Sequence, residues 1–274
     1  MHHQEAVYSF SIATETWNML HNLPRRREWH GSVAMENGIY IVGGSVGLYD
    51  NVEKFDQATR TFKTVGFLGY YPVEIGICQY DKDNFIFSGG VDNAFPFKTT
   101  YLYDTNQNIL KQVGNLTFAR NRHVMVKSQD GDIFAIGGED LSDWFNSIEK
   151  FDRSTKTWSV IDARLEKART FHQAVAYKNF IFIFGGRLQN KKVTDSIEKF
   201  DTITGEIQII ETKLLVARTG FAVARLGNLV YIMGGDIGRS NYTNSVEIFN
   251  LELETIEKGT SLPYADVNFT AHIF

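Results

Sequence analysis

The hydrophobic pattern of the chain repeats five times. In each copy, a run of four mainly apolar residues ends in Gly-Gly, and after a polar loop a second run alternates apolar and polar residues. The copies occupy residues 39–56, 85–104, 133–152, 181–201 and 230–250. Their Gly-Gly pairs begin at residues 43, 89, 137, 185 and 234, so successive steps are 46, 48, 48 and 49 residues. A period near ~50 residues is typical of propellers and solenoids.

Each repeat predicts four β-strands, which we call a, b, c and d. Strand a is moderately apolar and follows a loop that usually contains Arg, whereas strand b is the continuous apolar run expected of a strand buried on both faces. Strand c alternates, as a half-buried strand does, and strand d begins after a polar turn. The a–b and c–d turns are short, whereas the b–c and d–a loops are long and variable. Because consecutive strands reverse direction, both long sets lie on one side, the loop face, where binding usually resides.

The two ends of the chain share a sixth, incomplete repeat. Residues 5–20 match strands c and d, and residues 268–274 match strand a, but no sixth strand b is found. We therefore predict a single all-β domain over 1–274, a six-bladed propeller with five complete four-stranded blades and one incomplete blade shared by the termini. The missing strand indicates a fragment or truncated product of a longer protein. The predicted units are about 24–70, 71–118, 119–166, 167–215 and 216–262, with a split partial unit of 1–23 and 263–274.

The repeated apolar run, Gly-Gly, spacer, Glu-x-Phe-Asp and later Trp resemble the kelch repeat. The resemblance covers essentially the whole chain and implies a kelch β-propeller with one repeat per blade. The elements EKFD, TW and PRRR are most similar to those of kelch-like proteins, whose propellers follow BTB and BACK domains and present substrates to a cullin ubiquitin ligase. Neither domain occurs in these 274 residues, so the resemblance implies a ligase role only through a parent protein.

Arginine and glutamate recur together when the repeats are aligned on Gly-Gly. The arginines share one position at the start of strand a, and the glutamates share one position in strand c: Arg27, Arg120, Arg169 and Arg218, with Glu53, Glu149, Glu198 and Glu247. The second unit has Pro72 and Tyr101 at these positions, and the split unit has Asp266 and Tyr8. This joint presence and absence predicts a structural Arg–Glu pair inside each of four blades, partly buried, where an unpaired partner is costly.

Histidine also recurs, at positions 30, 123 and 172 of strand a. We expect His30, His123 and His172 to pack and form hydrogen bonds, because the rotation between blades separates equivalent positions beyond the ~2 Å reach of zinc. Cys78 is the single cysteine and is expected in the core. We predict no catalytic residue, metal or cofactor, since H-E-x-x-H and P-loop motifs are absent. A kelch-type sugar-acid mutarotase or oxidase remains the enzyme alternative.

The long loops contain 15 Lys and Arg against 11 Asp and Glu, whereas the rest of the chain has 13 and 21. This contrast predicts a basic loop face that binds a short acidic or phosphorylated segment of a partner protein. Arg, Trp and Tyr are frequent interface anchors. In the first repeat, residues 45–51 form the variable loop. The candidate binding residues are Arg25, Arg26, Trp29, Tyr49, Tyr71, Phe95, Arg122, Trp144, Arg187, Lys191, Arg239 and Tyr242.

The composition of the chain argues against two further classes of protein, nucleic-acid binders and membrane-spanning proteins. A net charge of −4 and the lack of a continuous basic stripe argue against nucleic-acid binding. No apolar run approaches the ~20 residues that span a bilayer, and the first residues do not resemble a signal peptide. We therefore expect a cytoplasmic protein-interaction module. A cytoskeletal, actin-associated scaffold is the alternative to substrate recognition for a ubiquitin ligase.

Overall fold

The computed structural model describes residues 6–45 and 49–273, in which 26 strands and no helix occur. A hairpin of two strands comes first, β1 (Ala6–Ser11) and β2 (Thr16–Asn22). Five four-stranded antiparallel sheets follow, each with its strands in the order a, b, c, d from inside to outside. The prediction of five complete four-stranded blades is confirmed. Within the described part of the chain, no helix is long and apolar enough to cross a membrane.

The blades use consecutive stretches of the chain. Blade one contains β3 (Gly31–Met35), β4 (Gly38–Val42), β5 (Asn51–Asp56) and β6 (Thr61–Phe67). Blade two contains β7 (Gly76–Gln79), β8 (Asn84–Ser88), β11 (Thr99–Asp104) and β12 (Ile109–Asn115), with the ribbon β9 (Val91–Asp92) and β10 (Phe95–Pro96) in its b–c loop. Blade three contains β13 (Val124–Lys127), β14 (Ile133–Ile136), β15 (Ser147–Asp152) and β16 (Thr157–Arg164).

The last two blades repeat this plan. Blade four contains β18 (Gln173–Tyr177), β19 (Phe180–Phe184), β21 (Ile197–Asp201) and β22 (Ile207–Ile209). A ribbon of β17 (Arg169–Thr170) and β20 (Arg187–Leu188) joins two of its loops. Blade five contains β23 (Ala222–Leu226), β24 (Leu229–Met233), β25 (Val246–Asn250) and β26 (Thr255–Gly259). The core lies between blades: Val42 of blade one and Phe85 of blade two, for example, belong to one buried cluster.

A chain of backbone hydrogen bonds links the inner ends of the repeats. Six equivalent residues, each two positions after the aligned arginine position of its repeat, have left-handed φ values between 51° and 61°. They form the series Trp29, Glu74, Arg122, Phe171, Gly220 and Asn268, in which the carbonyl of each of the first five accepts a hydrogen bond from the N–H of the next, at 2.7–3.1 Å. The C-terminal segment therefore occupies the sixth register position of the repeat.

The split unit differs from the sequence prediction. Its strands c and d form the expected hairpin, β1 and β2, but the predicted strand a is wrong because residues 268–273 form no strand. In the complete blades strand a pairs with strand b, and the described residues hold no sixth copy of strand b. Besides the backbone bond of Asn268, side chains hold the segment: Ser32 Oγ lies 2.6 Å from His272 Nε2, and Phe269 packs against the cluster that contains Met233. Phe274 lies outside the described residues.

Candidate partner-binding face

The two sets of long loops meet on one face. Immediately after each Gly-Gly pair, the b–c loop forms a short antiparallel bridge with the d–a loop that precedes the same blade. The bridges join Glu28 to Ser45, Val73 to Val91, Asn121 to Glu139, Thr170 to Arg187 and Thr219 to Asp236. These contacts place the loops on a rigid base, which is the arrangement that binding loops require.

Buried Arg–Glu pairs hold the base of these loops. Each arginine donates one hydrogen bond from Nη1 to the carbonyl of the first glycine of its blade, at 2.8–3.0 Å. Its Nη2 contacts the glutamate, at 2.9 Å for Arg27–Glu53 and 2.7 Å for Arg120–Glu149, and all of these side chains are at most 2% exposed. The other pairs are Arg169–Glu198 and Arg218–Glu247. Each arginine therefore ties the Gly-Gly corner to strand c.

The second carboxylate oxygen of the pair has a partner in three blades. A backbone N–H three residues before the arginine donates to it, at 2.6–3.0 Å: Thr117 to Glu149, Glu166 to Glu198 and Leu215 to Glu247. In blade one this position is Pro24, which has no N–H. Glu53 Oε2 is consequently buried without a hydrogen-bond partner, while Asn51 bridges Arg27 and Glu53 Oε1 at 3.0 Å each.

Tyrosine pairs replace the Arg–Glu pair in the other two units. Tyr70 and Tyr101 of blade two have ring centroids 5.3 Å apart, and Tyr8 and Tyr264 of the split unit are 6.3 Å apart. Tyr70 and Tyr264 both lie two residues before the arginine position. Burial, reinforced by Tyr101, raises the pKa of Tyr70, so its hydroxyl stays protonated. The sequence analysis did not identify Tyr70 and Tyr264 as pairing partners, although each is a tyrosine two residues before the arginine position.

The recurring histidines pack between blades. A Cβ placed on Gly89 would lie 2.8 Å from His123 Cε1, and one on Gly137 would lie 2.7 Å from His172 Cε1, so each ring fills the space that the glycine of the preceding blade leaves. Burial, with the nearby arginine charge, lowers the pKa of His30 to about 4 and that of His172 to about 3. Both rings are therefore neutral at pH 7. No cluster of His, Cys, Asp or Glu suited to a metal occurs among the described residues.

The predicted binding residues fall into two groups in the structure. Some pair with or pack against other residues, and the others are exposed to solvent. Arg122 pairs with Glu74 at 2.9 Å and also with Glu139, and Arg187 pairs with Asp236 at 3.3 Å. Tyr49 lies under the buried Arg27 guanidinium at 4.8 Å, and Trp29, Trp144 and Tyr242 are half-buried. The exposed candidates are Arg25, Arg26, Tyr71, Phe95, Lys191 and Arg239. In the predicted loop 45–51, residues 46–48 lie outside the described residues.

The charge difference between the long loops and the rest of the chain disappears when the buried arginines are excluded. The four scaffold arginines belong to the long loops by sequence, but each is buried against a glutamate that was counted with the body. Without them, the same loops hold 11 basic and 11 acidic residues. By this count the loop face is not basic, so the charge contrast no longer supports the prediction of an acidic or phosphorylated partner.

Several exposed apolar side chains lie in the long loops, and four of them belong to the loops of blades two and three. Phe95 and Leu141 are 69% and 74% exposed, and Tyr71 and Phe118 are 37% and 43% exposed. Phe118 stacks on Phe145 of the neighbouring b–c loop with centroids 5.6 Å apart. We call Tyr71, Phe95, Phe118 and Leu141 the apolar loop patch. Phe118 and Leu141 were missed from sequence, and the signal for Leu141 was an isolated apolar residue in a polar loop.

Comparisons with known proteins agree with this architecture. The family model of the KLHDC2/KLHL20/DRC7 Kelch-repeats domain matches residues 74–261, and a Kelch motif model matches residues 27–66. Alpha-scruin of Limulus polyphemus is 21% identical over 66% of this chain and 15% of that protein. Kelch-like protein 35 of Mus musculus is 29% identical over 46% of this chain and 21% of its own length. Kelch domain-containing protein 3 of Bos taurus is 31% identical over 59% of this chain and 49% of that protein. The chain thus spans half or less of these relatives.

Proposed function

Because the chain belongs to the kelch-repeat family, we propose that it is a non-catalytic protein-interaction module that binds a segment of a partner protein on its loop face. The apolar loop patch is the observation that carries this proposal. Exposed apolar side chains grouped on loops that a rigid scaffold supports are typical of interaction sites. Tyr71, Phe95, Phe118 and Leu141 would supply the apolar anchors, and the exposed Arg25, Arg26, Lys191 and Arg239 would lie around other loops of the same face.

The opposite face offers matched controls. Ile203 and Leu253 are 73% and 71% exposed, like Phe95 and Leu141, but they lie in the short c–d turns. Selection of binders from a displayed library of peptides would identify ligands, whose affinity would then be measured by calorimetry. Phe95→Ser with Leu141→Ser should weaken the selected peptides at least tenfold, whereas Ile203→Ser with Leu253→Ser should not. Equal loss in both double variants would contradict the loop-face assignment.

We further propose that a parent protein uses this module for substrate recognition in a cullin ubiquitin ligase. The support is a kelch repeat and BTB domain-containing protein of Caenorhabditis elegans, 23% identical over 60% of this chain and 30% of that protein. Sequencing of the full-length transcript would test this, since a BTB–BACK coding region in the same reading frame is required. A transcript without that region would remove the ligase role and leave the binding module unaffected.

We also propose that the scaffold is a six-bladed ring with one blade shared by the termini. Asn268 occupies the sixth position of the inner hydrogen-bond series, and Tyr8 from one terminus pairs with Tyr264 from the other. His30 Nε2 lies 3.3 Å from Thr270 Oγ1, which joins blade one to the C-terminal segment. Deleting residues 264–274 should lower the thermal unfolding midpoint by several degrees. An unchanged midpoint would contradict the shared blade.

A further inference from the structure

A large cavity lies beside the hairpin β1–β2. Its volume is about 840 Å³, and its walls come from β1, from blades one and five, and from the C-terminal segment. The lining is mainly apolar and includes Phe10, Trp17, Ile41, Met233 and Phe269. A second cavity, at the inner end of the strands, is only about 110 Å³.

The cavity lies where a strand b would be. In every complete blade, strand b separates strand a from strand c, and here the cavity separates residues 268–273 from β1. The burial of strand c shows the same deficit. β1 is half-buried at all six positions, whereas β5 and β15 are each buried at four of six. We call this cavity the strand slot.

Strand β1 pairs only with β2 among the described residues, so its other edge has no strand partner. In the complete blades, the N–H of the first glycine donates to a backbone carbonyl of strand c, two positions before the aligned glutamate position. The pairs are Gly43 to Asn51, Gly89 to Thr99, Gly137 to Ser147, Gly185 to Ser196 and Gly234 to Ser245. Alternate residues of a strand bond to the same neighbour, so Ala6, Tyr8 and Phe10 are the corresponding residues of β1 that face the slot. Backbone groups without partners in such a site are costly, which favours an occupant that pairs with them.

The equivalent contacts also specify how the occupant ends. In all five blades the N–H of the second glycine donates to the carbonyl at the arginine position of the next unit, at 2.8–2.9 Å. A Cβ on the first glycine would approach that same carbonyl to 2.1–2.9 Å. At the strand slot the corresponding carbonyl belongs to Arg27. A side chain larger than hydrogen at the first position would collide there, so the occupant must have glycine.

We propose that the strand slot binds, by β-strand addition, an extended apolar segment ending in Gly-Gly that lies outside the described residues. All five such segments among the described residues are already built into their own blades, so the occupant comes from elsewhere. It would run antiparallel to β1, and its main chain would give affinity while its apolar side chains contact blades one and five. This inference rests on the shared blade proposed above, which the deletion of residues 264–274 tests separately.

A peptide with the sequence of residues 39–44, IYIVGG, preceded by two lysines for solubility, is the probe. Trp17 lines the slot and reports binding by fluorescence. The peptide should give a saturable fluorescence change and slow hydrogen exchange in residues 6–11. The same peptide N-methylated at alternate backbone nitrogens keeps its side chains but loses ladder bonds, and should bind about tenfold more weakly or worse. In Trp17→Phe the fluorescence change should vanish while calorimetry still detects binding.

Three results would overturn the proposal. The first is no saturable binding of the unmodified peptide, and the second is equal binding of its N-methylated form, which would indicate an apolar cavity without strand pairing. The third is slower exchange confined to the loop face, which would assign the peptide to the partner-binding site. A peptide with Val-Val in place of Gly-Gly should fail, and its equal binding would also contradict the model.

Discussion

Glu198→Ala is expected to destabilise the protein well beyond a surface substitution. The change removes a carboxylate that contacts Arg169 Nη2 and accepts the Glu166 N–H at 3.0 Å. The side chains of Arg169 and Glu198 are 2% and 0% exposed, so the guanidinium would remain buried without its counter-charge. Arg169 would keep its bonds to the Gly185 carbonyl and Ser196 Oγ, at 3.0 and 3.2 Å, but neither is charged.

The magnitude follows from the burial of the pair. Removing one partner of a buried ion pair costs about 3–5 kcal/mol, since an uncompensated charge is left behind. Each kcal/mol lowers the unfolding midpoint by about 2–4 °C in a chain of roughly this size, so we expect a shift of about 6–20 °C. Calorimetric and circular-dichroism melts would measure it. Glu252→Ala is the control, because its pair with Lys178 at 3.0 Å is about half exposed and should contribute little to stability.

A second variant separates the lost charge from lost packing. In Arg169→Met with Glu198→Leu both charges are removed and apolar volume is retained, so this double variant should be more stable than Glu198→Ala alone. An unfolding midpoint of Glu198→Ala within about one degree of wild type would refute the structural role of the pair. A double variant less stable than the single one would show that packing, rather than the unpaired arginine, dominates.

Three further predictions follow from the same contacts. Glu53→Ala should cost about 1 kcal/mol less than Glu149→Ala in urea unfolding, because only Glu149 also accepts a backbone N–H, and equal losses would contradict this. His172 is neutral when folded, with its pKa lowered to about 3, so the unfolded chain binds more protons below about pH 6.5 and stability falls as pH falls. His172→Phe should therefore reduce that loss between about pH 6.5 and 5 by up to about 1.4 kcal/mol per pH unit, and an unchanged pH slope would contradict this. Cys78 is 9% exposed and burial raises its pKa to about 12, so a maleimide at pH 8 should label it only after unfolding; rapid labelling of the native protein would contradict its core position.

Local patterns identified the blades because the information lies within each repeat. The run Ile133–Ile136 is fully buried as strand b, since a continuous apolar stretch between two strands has no solvent face. The Gly-Gly pairs were equally readable, because their left-handed conformation and close approach to a neighbouring carbonyl admit little besides glycine. Alignment of the repeats on Gly-Gly was also sufficient to place Arg169 and Glu198 in one blade.

The candidate site was less predictable, because binding surfaces depend on contacts between repeats. Arg122 and Arg187 looked like free cations in sequence, yet acidic residues distant along the chain, Glu74 and Asp236, pair with them. The apparent basic face arose from buried arginines whose glutamates lie about 26–29 residues away. Exposure of Phe118 likewise depends on how two blades meet, which no single repeat encodes.

The sequence by itself determined the five complete blades, their strand order and the residues that join each Gly-Gly corner to strand c, because these depend on hydrophobic period, backbone conformation and local register. Only the tertiary structure decided that residues 268–273 form no strand, that the loop face carries no net charge and that a strand-sized cavity lies beside β1. The physical reason is that a strand requires a partner, a surface charge requires exposure, and a cavity requires walls. Each of these conditions is met by residues far apart along the chain.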